Sequence, residues 1–378
     1  MWIIKKLKRI FTLNIPVFLR ATLIKMFSFL YPMLRIRPYL ASLNVTDNCC
    51  LKCVMCNEWE NSHPGELSTD QWKDILSQLR VCGVRDINLT GGEPLMRKDL
   101  AVLAQHATSL GLTVGVTTNG YLLTKEKVRE LMGAGVKTIS VSMDAVGDDY
   151  DRIRGVPGAY QKLYAACEIL SEYKRKGQLS VFLSFLLMKD TLEYYQRVVE
   201  VAKGFDLPVA VNLFDVAPYF FKKEDIKDKF WVKREDQKAL KTFQECMIKN
   251  KETVKQFSYH SFSEINYFAD YFVDPLQKNL PCTASQVRIC IDPQGNVFGG
   301  CWAMGTYGNL KEQRLREVVE SEKYRKVHKN MFFKKCPGCA CGYPMNLRYS
   351  ARHLCTEMRY RISPKTRKGI YTPSNDET

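Results

Sequence analysis

The chain has 378 residues, 46% of them hydrophobic, and a formal net charge of +16, which allows a large domain with a satellite and excludes wholesale disorder. Its fourteen cysteines exclude an ordinary disulfide framework, because the clustered ones sit two or three residues apart and suit thiolates converging on a metal. The apolar N-terminal segment lacks a small-residue cleavage site and is interrupted by charges, so a reducing, cytoplasmic location is expected.

Residues 1–40 are apolar and basic together, and the first acidic residue is Asp47. Arg20 and Lys25 break the run before it is long enough to span a bilayer. Trp2, Ile3, Ile4 and Leu7 set among Lys5, Lys6, Lys8 and Arg9 predict a segment lying on an anionic membrane surface, peripheral on the inner face. A helical hairpin packed on the protein's own flank is the alternative.

From residue 41 six β-type runs follow, at 41–46, 85–90, 112–117, 136–142, 179–187 and 208–214. Helical signals separate them: Ser68 with Gln71 as a capping box, Thr124 as an N-cap, and the stretch 160–176. Strands and helices in series predict parallel pairing with right-handed crossovers, and hence an α/β barrel, open or closed. The chemistry of such a barrel gathers at the C-terminal ends of its strands. Residues 41–215 form this core. Residues 216–275 read as a charged, helical connecting segment, and 276–345 hold a second cysteine group with a hairpin signal, "ICIDPQGNVFGGC". A basic tail, 346–378, closes the chain and ends in a stretch expected to be disordered.

The stretch after the first strand, "TDNCCLKCVMCN", places Cys49, Cys53 and Cys56 in a C-x3-C-x2-C spacing. Three thiolates on one loop can hold three corners of a cubane iron–sulfur cluster and leave one iron open. Zinc competes, but structural zinc usually takes four ligands in two separated pairs. Cys50 adjoins a candidate ligand, cannot easily point the same way, and is expected to be spare. After the second strand comes "LTGGEP", with Gly91, Gly92, Glu93 and Pro94. Two glycines at a strand end let the backbone approach a ligand closely.

These two motifs in this order resemble the radical S-adenosylmethionine (radical SAM) superfamily. The resemblance implies a partial (β/α)6 barrel and a [4Fe–4S] cluster on Cys49, Cys53 and Cys56 whose open iron chelates S-adenosylmethionine. It implies an electron donor such as flavodoxin or ferredoxin, and reductive cleavage of the sulfonium to a 5′-deoxyadenosyl radical that abstracts hydrogen from a substrate. Gly91, Gly92, Glu93 and Pro94 would line the cofactor, with the Glu93 charge toward its ammonium group. Asn119, at the end of strand three, and Ser140, Ser142 and Asp144, at the end of strand four, would reach the ribose or carboxylate. Arg154 would lie near the methionyl carboxylate.

The second cysteine group resembles the auxiliary-cluster extension of the same superfamily, SPASM or its shorter twitch form. The best-placed ligands for one auxiliary [4Fe–4S] cluster are Cys282, Cys301, Cys336 and Cys339. The step from Gly295 to Cys301 is one residue longer than usual and Cys336-x2-Cys339-x-Cys341 is compressed, so a second auxiliary cluster is not expected. Cys290, Cys341 and Cys355 are what remains to build one, and a zinc knuckle is the competing reading of the group. Cys82, Cys167 and Cys246 read as core thiols.

The basic, apolar N-terminus favours a substrate at a membrane, a lipid or a lipid-linked sugar. A ribosomally made peptide is the alternative, on the strength of the auxiliary extension. A reading of another class is an iron–sulfur or zinc protein that binds nucleic acid through its basic ends. Against it, Glu93 in "GGEP" has no use there, and the basic segments lack the aromatic interleaving of a base-stacking surface.

Overall fold

The computed structural model describes residues 38–60, 65–214, 228–250, 262–273, 282, 284, 288–332 and 335–336. The N-terminal segment read as membrane-seeking, the aromatic group 219–221, and Cys339, Cys341 and Cys355 lie outside the described residues. No helix among the described residues is long and apolar enough to cross a membrane.

Six parallel strands form the core: β1 (Leu40–Asn44), β2 (Asp86–Thr90), β3 (Thr113–Thr118), β4 (Thr138–Ser142), β5 (Ser180–Leu187) and β6 (Val209–Leu213). Each lies within two residues of its expected bounds, and they are ordered β6-β5-β4-β3-β2-β1 in the sheet. Helices fill the crossovers: α1 (Thr69–Val81), α2 (Leu100–Ser109), α3 (Lys125–Gly133), α4 (Asp148–Arg154), α5 (Ala159–Arg175) and α6 (Tyr195–Phe205). Ser68 and Gln71 cap α1 reciprocally, and the Thr124 hydroxyl accepts from Lys127 N at the start of α3. The expected mixed α/β architecture, a parallel sheet of open-barrel type, is the one observed.

The two faces of this sheet differ in chemistry, as a period of two residues requires. Leu43, Leu89, Val116, Val141, Leu183 and Val211 share the face under the helices and are almost fully buried. Ser42, Asn88, Gly115, Thr117, Ser142 and Ser184 occupy the alternating positions, aligned strand to strand by the register. This lumenal face is small and polar, and Asn88 donates to Thr117 across it at 3.0 Å. Only such a face leaves room for a ligand between the strands.

The hairpin signal is present and joins the same sheet. β7 (Arg288–Ile291) runs parallel to β1, and β8 (Asn296–Phe298) and β9 (Gly308–Asn309) extend the sheet antiparallel, to nine strands in all. Asp292 makes the turn by accepting from Gln294 N and Asn296 N, with Gly295 at φ +88°. The connecting segment contributes α7 (Gln237–Lys249) and α8 (Phe262–Val273), and α9 (Leu315–Glu320) and α10 (Glu322–Phe332) follow the hairpin. Cys82 and Cys167 are buried as expected. Cys246 departs from the core-thiol reading: it is half-buried on α7, with its thiol 2.8 Å from Gln196 Oε1 on α6.

On α10, His328 is buried against Tyr324 with ring centroids 4.2 Å apart, and burial lowers its pKa to about 3. A depressed folded-state pKa means that the stabilisation is complete above the unfolded value of about 6.5 and is lost as pH falls toward 3. Stability should therefore drop by about 1.4 kcal/mol per pH unit across that window. Urea midpoints measured against pH test this, and His328→Phe, which keeps the stacking, should flatten the slope.

Candidate active site

Residues 45–60 carry the first cysteine group across the C-terminal ends of the strands, and backbone bonds joined by a few side chains hold it there. Val45 N donates to Thr90 O, Gly92 N to Thr46 O and Glu93 N to Asn48 O, which fastens the loop to the end of β2. On its other side Lys52 N donates to Arg154 O and Val54 N to Ile153 O, at the end of α4. Glu66 accepts from Thr46 Oγ1 and Asp47 N, and Gln294 of the hairpin turn donates to Asp47 at 2.8 Å.

The glycines matter through this close approach. A Cβ on Gly91, whose φ is +133°, would lie 2.3 Å from Thr46 O, and one on Gly92 would lie 2.4 Å from Asn48 O. Those are backbone atoms of the cysteine loop and cannot rotate aside. Gly92→Ala should therefore displace the loop, at the roughly 1–3 kcal/mol typical of overpacking. Iron content after reconstitution and the thermal midpoint should both fall.

Cys49, Cys53 and Cys56 all line one cavity of about 350 Å³. The strand ends complete the lining: Thr90 to Gly92, Thr117 to Asn119, Ser142 and Asp144, Ser184 and Leu186, and Asn212 to Phe214. Cys50 is not part of this lining, and its sulfur lies 3.5 Å from Asn119 Nδ2. Among the described residues no group of three or more His, Cys, Asp or Glu converges tightly enough for a single metal ion. A cubane makes no such demand, since each of its cysteines takes a separate iron.

The electrostatics follow from burial. Burial pushes the Cys53 thiol up, against the pull of Arg154, and raises Cys56 to about 12. Cys49 is pushed up by its hydrogen bond with Cys50 and by burial, while the same bond lowers Cys50. Such sulfurs become thiolates only beside strong positive charge, which bound iron supplies.

One cation is already present. Arg154 is 7% exposed and donates to Asp144 Oδ2 at 2.5 Å and to Cys53 Sγ at 3.6 Å, with the Tyr150 ring 5.2 Å from its centre. Its Nε is buried and has no partner among the described residues. Burial pushes the Asp144 carboxyl up, and the guanidinium and Leu186 N, at 2.7 Å, both donate to it and oppose that shift. Three soft sulfurs, a glycine cradle and a buried donor awaiting an acceptor fit a cluster with an anionic organic ligand beside it.

Of the residues expected at this site, Gly91, Gly92, Asn119, Ser142, Asp144 and Arg154 line the cavity; Glu93, Pro94 and Ser140 do not. Glu93 departs furthest from expectation, being fully buried and turned into the protein. Its carboxylate accepts from Leu95 N, Thr118 Oγ1 and Asn119 N, so it caps the short turn Pro94–Met96 and fixes the end of β3. Burial raises its pKa to about 7. Pro94 is the first residue of that turn, and Ser140 is buried deeper along β4. Ser184, Asn212 and Trp59 line the cavity without having been singled out. Asn212 Nδ2 donates to Ser184 Oγ at 2.8 Å. The signal that would have found these two is their polar character at lumenal positions near strand ends.

In the second group, Cys282 and Cys301 pack into one buried cluster with Ala284 and Met331. Cys290 is buried on the lumenal face of β7, against Phe298 and Trp302, and Cys336 is half-buried.

The sequence profile of the radical SAM superfamily matches residues 43–202, and that of SPASM, an iron–sulfur cluster-binding domain, matches 282–342. The chain carries a radical SAM domain followed by a SPASM domain. An AdoMet-dependent heme synthase of Methanosarcina barkeri is 36% identical over 184 residues, 48% of this radical SAM chain. The chain spans about half of that relative's length, 51%. A PqqA peptide cyclase of Rhizobium meliloti is 27% identical over 290 residues, 75% of this chain and 72% of the relative. Streptococcus suis SuiB bound to precursor peptide SuiA has the same fold, with a TM-score of 0.58 and 19% identity over 82% of this chain and 70% of that one. The radical SAM and SPASM regions together imply a [4Fe–4S] cluster, S-adenosylmethionine and an auxiliary cluster.

Proposed function

We propose that this radical SAM protein cleaves S-adenosylmethionine reductively in the 350 Å³ cavity and abstracts hydrogen from a peptide. The observation that carries the reading is that Cys49, Cys53 and Cys56 line one cavity together with the buried Arg154. When bound, the cluster and its cofactor supply one-electron reduction of a sulfonium and removal of a hydrogen atom.

The chain's own residues bind, orient and shield. Cys49, Cys53 and Cys56 hold the cluster, and Gly91 and Gly92 let the backbone come close enough to contact the cofactor. Arg154 offers its guanidinium to the methionyl carboxylate, while Ser142, Asn119, Ser184 and Asn212 present hydroxyl and amide groups to the sugar and base. Phe214, Leu186, Met55 and Trp59 complete an apolar rim that keeps water from a reactive radical. Cys282 and Cys301, with Cys336 and Cys339, would hold the auxiliary centre, which would supply one-electron redox chemistry beside the substrate. A reductant supplies the first cluster, and flavodoxin or ferredoxin suits that role.

A peptide is favoured because one match to a PqqA peptide cyclase extends over 75% of the chain, while two others stop at 45% and the heme synthase match at 48%. The cavity is small for a ligand pocket, so a peptide would insert one side chain rather than thread through it. The lipid reading rests on residues outside the described part and gains no support from the site.

Anaerobically reconstituted protein should contain about eight iron and eight sulfide per chain, for two [4Fe–4S] clusters; about four would remove the auxiliary site. After reduction with dithionite it should form 5′-deoxyadenosine, faster with randomised synthetic peptides than without them. Stimulation by a tetrapyrrole or a lipid, and none by peptides, would overturn the peptide reading and leave the cofactor chemistry standing.

A further inference from the structure

Near the second cysteine group lies a buried phenol that no other part of the site uses. Tyr307 is 4% exposed, and although the Gly299 N–H approaches its oxygen, its hydroxyl donates to no partner among the described residues. A fold rarely keeps a buried donor unpaired unless something absent from the chain itself accepts from it.

The ring cannot turn away to water. Tyr307 N donates to Val297 O at 2.8 Å, which ties the residue to β8. The ring packs against Gly299, where a Cβ would come within 2.7–2.9 Å of its Cε2, Oη and Cζ atoms. Tyr324 closes the other side edge-on, at 5.0 Å between centroids, and is itself backed by His328. The phenol is locked between a glycine chosen for its missing side chain and an aromatic column.

What it is locked beside is sulfur. Gly299 stands two residues before Cys301, and a Cβ on the intervening Gly300 would lie 2.6 Å from Ala284 O, so the turn is pressed onto the segment that carries Cys282. Cys282, Ala284, Cys301 and Met331 close over one another in a buried cluster. Burial first, and then the proximity of Cys301, Cys290 and Cys282, raise the Tyr307 pKa well above a free phenol, so the group keeps its proton and remains a donor.

We infer that the Tyr307 hydroxyl donates a hydrogen bond to a sulfur of the auxiliary iron–sulfur centre and raises its reduction potential. The inference rests on Cys282 and Cys301 as ligands of that centre. A donor aimed at cluster sulfur favours the reduced, more negative state, and such bonds are one of the protein's levers on potential. Tyr307 is thus a positioning and tuning residue. It makes the auxiliary centre a better acceptor for an electron leaving the substrate.

The test is a redox titration, followed by electron paramagnetic resonance, of the full chain reconstituted in a Cys49→Ala/Cys53→Ala/Cys56→Ala background. In that background only the auxiliary centre is read. Tyr307→Phe should retain its iron, and its reduced-to-oxidised ratio at a fixed potential should fall roughly tenfold, about 59 mV for a one-electron couple. Gly299→Ala keeps the hydroxyl but pushes the ring aside, should shift the potential the same way, and decides the matter if Tyr307→Phe fails to assemble. Full iron content with an unmoved potential in the assembled variants would overturn the role of Tyr307. A background protein that takes up no iron would instead overturn the auxiliary centre itself, and the inference with it.

Discussion

Exchanging Cys53 for alanine is expected to reduce 5′-deoxyadenosine formation below detection, while exchanging Cys50 for alanine is expected to leave cluster content unchanged. The two residues lie three apart and have the same side chain, so the contrast tests geometry alone. Cys53 is on the cavity wall, nine-tenths buried and contacted by the Arg154 guanidinium at 3.6 Å. Cys50 lies off that wall, with its sulfur against Asn119. A cubane held by two sulfurs in place of three loses the fixed open corner that a sulfonium cofactor needs, and binding alone does not compensate for lost orientation. The readouts are iron, sulfide and 5′-deoxyadenosine on the same anaerobic preparations. Iron loss in Cys50→Ala together with retention in Cys49→Ala would show that the loop uses the other sulfur of the pair and that its register has been misassigned.

The strands of the core were legible because parallel strands buried under helices must be apolar at every second position. Cys49, Cys53 and Cys56 were legible because ligand spacing on one loop is local. What sequence did not carry was direction. Glu93 was expected to offer its charge to a ligand, yet the chain turns after Gly92 so that the carboxylate meets Leu95 N, Thr118 and Asn119 N inside the protein. A charge is visible in sequence, but the backbone torsion that aims it is not. Long-range contacts were equally hidden. Gln294 reaches Asp47 across 247 positions, and β7 joins β1 as a seventh parallel strand although the hairpin lies in sequence well beyond the 41–215 core. Ser184 and Asn212 lie in ordinary strand text, and only the barrel brings them beside the cysteines.

Replacing Arg154 with methionine should cost stability and cofactor binding together, and a second substitution should separate the two. The guanidinium and Asp144 are both more than nine-tenths buried, so removing one leaves an uncompensated charge inside the protein. The penalty for such a break is about 3–5 kcal/mol. Part of it should appear as a lower urea midpoint and part as weaker binding of S-adenosylmethionine, since the methionyl carboxylate loses the Nε–H that has no acceptor within the described chain. Lysine is no substitute, because a single ammonium cannot reach Asp144, the Cys53 sulfur and a carboxylate in one plane. Replacing both partners, Arg154→Met with Asp144→Leu, removes the charges as a pair and should restore most of the stability, because buried ion pairs are seldom net stabilising against apolar groups of similar volume. If the pair serves the cofactor, that double variant should fold well, hold its iron and still fail to bind S-adenosylmethionine in equilibrium dialysis. A double variant that binds and cleaves at the original rate would instead make the pair scaffolding for the end of α4, where Arg154 O holds Lys52 N and with it the cysteine loop.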